Sequence, residues 1–411
     1  MLSAVIAASI AAQPTPVPEI APDVKARIDR ILAETPLVDG HNDLPIATRF
    51  RREGDVANLQ SDSEPLHTDM DRLKAGGVGA QLWSVYIPAS ITGDEAVRYT
   101  IEQIDITDRL IAAYPDTLAW ADTADEIEAI HASGRIASFA GIEGGHQIGG
   151  NLAALRQFRK LGAIYMTLTH SATTGWADSA TDAPKHDGLS DFGVEVIKEM
   201  NRIGMLVDLS HVTEAAMHDA LDASRAPVIF SHSSARGVGG HPRNVPDSVL
   251  ERLSDNGGVV MVTFVPSFIS DENWDWFANR SAYRARHEAK HPGETPEELA
   301  AALERWEERN PMPRVTVSMV ANHVDHIARV AGYDHVGIGG DFDGISSTVD
   351  GLDSVDDYPN LFAELIARGW SDENLAKLAG GNFLRALRGA EAAAAAMADV
   401  PPSLDKPDME D

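Results

Sequence analysis

The chain has 411 residues, 44% of them hydrophobic and 24% charged, the balance of a water-soluble globular protein with one large domain or two ordinary ones. Its 63 acidic residues outnumber 34 basic ones, and the net charge of -29 repels nucleic-acid backbones and anionic membrane surfaces. There is no cysteine, which excludes disulfides and thiolate metal sites and leaves His, Asp and Glu as the available metal ligands.

The chain opens on an apolar stretch, MLSAVIAASI, that turns Pro-rich, and Ser9-Ile10-Ala11 has the small residues of a leader cleavage site. No Lys or Arg precedes Lys25. Residues 1–24 are therefore expected to be a leader or a flexible segment, with a periplasmic or secreted location if they are cleaved and a cytoplasmic one if they are not. No apolar run is long enough to span a bilayer.

From Pro36 to Arg388, short β-rich runs alternate with helix-length segments. The runs are PLVDGH, GAQLWSVYI, IASFAGIEGG, AIYMTLTHS, MLVDLSH, PVIFSHS, GVVMVTFV and HVGIGGDFDG. They lack polar alternation, as strands covered on both faces do, and the alternation with helices predicts a parallel sheet. Eight such units predict a (β/α)8 TIM barrel of the metal-dependent hydrolase type over residues 25–390, with a doubly wound open sheet as the alternative. A strongly charged stretch at about 270–314 reads as a helical insertion after strand 7. Residues 391–411 read as an Ala-rich helix and a disordered, Pro- and Asp-rich tail.

Ionisable residues gather where the runs end: His41 and Asp43 after the first, Glu143 after the third, His170, His211 and His232 after the next three, Asp341 after the eighth. In a parallel barrel all these ends open on one face, so the residues converge. One His after a strand is ordinarily a structural group, and an Asp there often makes a turn. The whole set at one end of successive strands is poorly explained by coincidence. Several imidazoles with carboxylates suit zinc or a related divalent ion, and a carboxylate can bridge two such ions about 3.5–4 Å apart with a hydroxide between them. His41 and Asp43, two apart, are expected to point the same way along a strand.

The stretch RHEAKH also carries H-E-x-x-H, the helical zinc motif. It lies in the charged insertion, has Pro292 directly after its second histidine and offers little apolar surface to bury, so it is read as a solvated helix. His323 and His326 are read as helix surface and packing before the eighth strand.

The segments DGHNDLP, GIEGGHQI, YMTLTHSATTGWAD, LVDLSHV, FSHSSARGVGGHPRNVPD and VGIGGDFDG, in that order, closely resemble the membrane (renal) dipeptidase family, zinc dipeptidases with bacterial members, over roughly residues 30–388. The resemblance implies a binuclear centre with two zinc ions per chain: His41 and Asp43 on one, His211 and His232 on the other, Glu143 bridging both. It implies that His170 contacts substrate near the scissile carbonyl, that Arg243 grips the dipeptide's terminal carboxylate, and that Asp341 handles protons. Glu143, His170 and Asp341 are thus the implied catalytic residues. Family members cleave dipeptides, often with a D-residue at the C-terminal position, and some open β-lactams. The chain departs from the animal members in lacking cysteines, a lipid-anchor signal and the Tyr that stands where it has Phe268, and in carrying the insertion; animal-type membrane anchoring is not expected. A dipeptide substrate is the expected partner, and a homodimer is left open. The competing readings are a metal-barrel hydrolase of another amide or lactam, and a homologue that matures a peptide without hydrolysing it.

Overall fold

The computed structural model describes residues 19–59 and 66–406; the leader called over the first residues falls largely outside them. Nine parallel strands form the sheet: β1 (Leu37–Asn42), β2 (Val78–Tyr86), β3 (Leu118–Trp120), β4 (Ile136–Glu143), β5 (Ala163–Thr167), β6 (Leu206–Asp208), β7 (Ile229–Phe230), β8 (Val259–Val262) and β9 (Val336–Ile338). They are ordered β2-β1-β9-β8-β7-β6-β5-β4-β3. A second pairing, β2 with β4 from Ala80↔Ala137 to Tyr86↔Glu143, closes eight of them into a barrel. The (β/α)8 fold expected from the eight runs is the one observed.

The ninth strand, β3, was not anticipated. It pairs with the first half of β4 (Leu118↔Ile136 to Trp120↔Ser138), while β5 takes over along the second half from Ala140. It thus extends the sheet beside the ring.

β1, β4, β5 and β8 are buried at every position, which explains the missing polar alternation: one face meets the helices and the other fills the barrel. Inside, Val38, Leu82, Phe139, Ile164, Leu206, Ile229 and Met261 pack together, joined by Phe383, Leu384 and Leu387 from the helix Asn382–Ala396. Phe383 stacks on Phe139 with ring centroids 5.9 Å apart. A second, larger cluster lies between strands and outer helices. The helix Asn382–Ala396 includes the start of the Ala-rich segment, and beyond it the tail lies against the protein as far as Ser403, whose carbonyl accepts from Arg156 Nη1 at 3.0 Å.

The charged insertion follows the seventh barrel strand, β8, as expected. It is a helical hairpin, Asp271–Lys290 and Pro296–Arg309, capped by Ser270 and by a Thr295/Glu298 capping box. Its helices meet through Trp276, Tyr283 and Trp306. None of the helices among the described residues is long and apolar enough to cross a membrane.

Candidate metal centre

The C-terminal ends of the barrel strands share one mouth, and the mouth is a pocket of about 380 Å³ lined by Asp43, Glu143, His170, His211, His232, Arg243, Asp341 and, outside the expected set, Tyr86 and Asp343. His41 lies fully buried beneath it. All eight residues singled out in the sequence are therefore brought together.

The route by which His41 and Asp43 meet differs from strand alternation. The pairing of β1 with β2 slips between Asp39 and Asn42, and Asp43 lies beyond the strand as the N-cap of the helix Leu44–Arg52. The two side chains still converge, with His41 Nε2 3.3 Å from Asp43 Oδ2 and 3.5 Å from Glu143 Oε2. Glu143 occupies the centre. Its Oε1 lies 3.1 Å from His211 Nε2, 3.5 Å from His232 Nε2 and 3.7 Å from His170 Nε2. Its other oxygen accepts a hydrogen bond from Ser84 Oγ at 2.9 Å.

Three sets of donor atoms each lie within 4.8 Å of one another: His41, Glu143 and His232; Glu143, His170 and His211; His41, Asp43 and Asp341. Glu143 belongs to two of them. The donor set fits metal ions on two further grounds. His41 Nε2 is buried with no hydrogen-bond partner. His211 Nε2 and His232 Nε2 face each other at 2.8 Å. Two ring nitrogens presented to one point are satisfied by a cation between or beside them.

Surrounding groups set the tautomers. Ser231 Oγ donates to Asp208 Oδ2 at 2.6 Å, so it can only accept from His232 Nδ1, 2.8 Å away. That leaves the Nε2 lone pair of His232 aimed into the mouth, as in metal-bound histidines whose other ring N–H is held by a hydrogen-bond acceptor. Thr167 Oγ1 donates to the same Asp208 oxygen at 2.6 Å. Tyr165 supports His41 from Nδ1 at 3.3 Å, and its ring runs where a side chain at Gly141 would collide with it at 1.8 Å. His211 is held with φ 74, a left-handed backbone uncommon outside glycine, and Asp341 with φ 64.

The electrostatics favour bound positive charge. Burial opposes charge on His41, yet Glu143, Tyr165 and Asp43 lift its pKa well above the ordinary imidazole value. Burial also opposes the Glu143 carboxylate, but His41, His211 and His170 hold its pKa well below the usual range. Burial, with the Arg243 cation nearby, keeps His211 and His232 well below normal and hence neutral. Asp341 is pushed well above the carboxylate range by burial and by the neighbouring Asp43 and Glu143 carboxylates.

Arg243 stands at the wall of the mouth, 3% exposed. Its Nη1 and Nη2 donate to Ser233 Oγ and the His232 carbonyl, both at 3.3 Å, and its guanidinium lies 5.3 Å from the Phe268 ring centroid. Among the described residues no carboxylate pairs with it. Burial lowers its pKa to about 10, so it remains a cation.

A closed parallel barrel with carboxylates and imidazoles at the C-terminal mouth defines a metal-dependent hydrolase. The chain belongs to the membrane dipeptidase family, peptidase family M19, whose model matches residues 25–400. It is 41% identical over 378 residues to an uncharacterized dipeptidase of Schizosaccharomyces pombe, covering 89% of this chain and 82% of that one. It is 40% identical over 374 residues to the dipeptidase verJ of Clonostachys rogersoniana, covering 88% and 86%. Among solved structures, a metallo peptidase from Rhodobacter sphaeroides liganded with a phosphinate mimic of the dipeptide L-Ala-D-Ala superposes with a TM-score of 0.71 at 23% identity, over 87% of this chain and 99% of the other. The protein is thus a dipeptidase of a metallopeptidase family, with donor clusters able to hold metal ions.

Proposed function

We propose that the protein hydrolyses dipeptides, including L,D-dipeptides, with two zinc ions per chain held by His41, Asp43, Glu143, His211 and His232. The observation that carries the reading is a buried guanidinium without a carboxylate partner, Arg243, on the wall of the pocket that presents the metal donors. A dipeptide has its terminal carboxylate one residue past the scissile bond, and a fixed cation near the reacting centre selects that length. An arginine fork also matches a carboxylate in two hydrogen bonds. Zinc suits a cysteine-free set of imidazoles and carboxylates. The inclusion of L,D-dipeptides is supported by the phosphinate mimic of L-Ala-D-Ala with which the Rhodobacter sphaeroides peptidase is liganded.

Bound at these residues, zinc would lower the pKa of a water and polarise the scissile carbonyl. The remaining work belongs to the protein. Asp341, a carboxylate on the wall of the pocket, accepts the water proton and passes it to the leaving amine. His170, at the rim of the pocket, contacts the substrate near the carbonyl. Arg243 fixes the carboxylate end.

The test combines metal analysis with a panel of L,L- and L,D-dipeptides and their C-terminal amides. Nearly two equivalents of zinc are expected, with dipeptides strongly preferred over amides. Losing a charge contact in a desolvated site costs about 2–5 kcal/mol, so Arg243→Met should lower kcat/KM for dipeptides by tens- to thousands-fold and leave zinc content intact. One equivalent of metal in the fully active enzyme, or equal turnover of amides by the wild type, overturns the reading.

A further inference from the structure

Tyr86 ends β2 and is the register partner of Glu143 on β4, so both side chains project from the same face of the barrel wall into the mouth. Two residues earlier on that face, Ser84 is committed to Glu143 through its hydrogen bond. Tyr86 is not committed in this way. Its ring packs on His170, with centroids 4.8 Å apart and planes at 59°, it lines the pocket, and its hydroxyl has no hydrogen-bond partner among the described residues. A half-buried phenol beside a catalytic cluster ordinarily finds a partner, and here the partner's place is the substrate's.

We propose that Tyr86 is a catalytic hydrogen-bond donor to the oxygen of the scissile carbonyl as it becomes an oxyanion, acting next to His170. In the reaction, water oxygen bonds to the carbonyl carbon and the carbonyl π pair moves onto oxygen. That pair returns as the C–N bond breaks and the amine leaves with the proton that Asp341 carries. The negative charge on oxygen exists only between those events, so a donor aimed there acts on the transition state more than on bound substrate. Tyr86 suits the task because its phenol is protonated at working pH and carries one O–H to donate. The inference rests on the dipeptidase reading above.

The test is Tyr86→Phe, which keeps the ring against His170 and removes one oxygen. Removing one oxyanion donor typically lowers kcat by about 10²–10³. The expected result is a loss of roughly 100-fold in kcat with KM, metal content and thermal unfolding unchanged. Calorimetry with a phosphinate dipeptide mimic, whose tetrahedral oxygens stand where the oxyanion forms, should show a similar fold-loss in affinity, while binding of the product amino acids stays the same. Retention of kcat within about twofold, a loss confined to KM, or unchanged phosphinate affinity overturns the proposal. Failure of the wild type to hydrolyse any dipeptide overturns the underlying reading instead, and the two failures are separate measurements.

Discussion

Two places in the chain bring two histidines and a glutamate together. At the barrel mouth, His211 Nε2, His232 Nε2 and Glu143 Oε1 meet within 3.5 Å. On the insertion hairpin, the rings of His287 and His291 stack at 4.4 Å, and His287 Nε2 lies 2.7 Å from Glu294 Oε2. The hairpin has the better sequence motif and the mouth has the better site. On the hairpin, His287 and His291 come from the end of one helix that buries little beyond Asn273, and His291 is already its C-cap. At the mouth, His41, Glu143, His211 and His232 stand at the ends of four different strands, and His41, Glu143 and His232 are held from behind by Tyr165, Ser84 and Ser231. Every donor triad among the described residues lies at the mouth. What distinguishes the mouth is that donors from several strands converge there in overlapping triads, and spacing in sequence does not report it.

The comparison breaks most sharply under paired substitution. His232→Ala should lose most bound metal and roughly 10³-fold or more in kcat/KM, since water activation depends on the ions. His287→Ala with His291→Ala should change metal content and turnover by less than about twofold, since neither belongs to a donor triad among the described residues. Metal analysis beside steady-state kinetics decides the matter, and the opposite pattern would make the hairpin the functional site.

The hairpin is not idle at its root. Asp271 Oδ1 accepts from Gly240 N at 2.7 Å, and Trp274 meets His241 at 4.9 Å. His241 in turn stacks on Phe268 at 4.2 Å and accepts from the Arg243 backbone N–H at 3.2 Å. Burial and the Arg243 and Arg236 cations lower the His241 pKa to about 3, so it stays a neutral acceptor. An aromatic pair contributes about 0.5–1.5 kcal/mol, so Trp274→Ala should raise KM for dipeptides by roughly 2- to 13-fold, with kcat and zinc content little changed. An unchanged KM would mean that the root of the hairpin does not steady Arg243.

Much of this was legible in the sequence because strand runs covered on both faces are conspicuous and because ligands at strand ends recur in each unit. All eight barrel strands and seven of the eight site residues can be read that way; Arg243, on the segment after the sixth barrel strand, was marked by the family resemblance alone. β3 cannot, since three residues paired beside β4 make no run. Tyr86 escapes because it closes an apolar run as one more aromatic; the available signal was its place at a strand end, the feature that marked Glu143. The slip in β1 that lets His41 meet Asp43 is a matter of pairing register, which residue identities do not encode locally.

His323 supplies the third term of the comparison and the smallest effect. Expected to divide between helix surface and packing, it is on the packing side: His323 is fully buried, and so is most of His326. Burial does not make it a ligand, because both its nitrogens are used: Nδ1 accepts from Ala235 N and Nε2 donates to the Ile269 carbonyl, each at 3.1 Å. This neutral form is enforced by burial, which lowers the pKa from 6.5 to about 4. Below 6.5 the unfolded chain takes up a proton that the folded one refuses, so the stabilisation is full above that pH and is lost as pH falls toward 4. At about 1.4 kcal/mol per unit, the loss approaches about 3 kcal/mol. Denaturant unfolding of the wild type and of His323→Gln at pH 7 and pH 4.5 isolates this share from other titrating groups. The variant should be less stable at pH 7, and its deficit should shrink by pH 4.5. A deficit of constant size across that range would show that His323 does not resist protonation and that its two hydrogen bonds tolerate the charged ring.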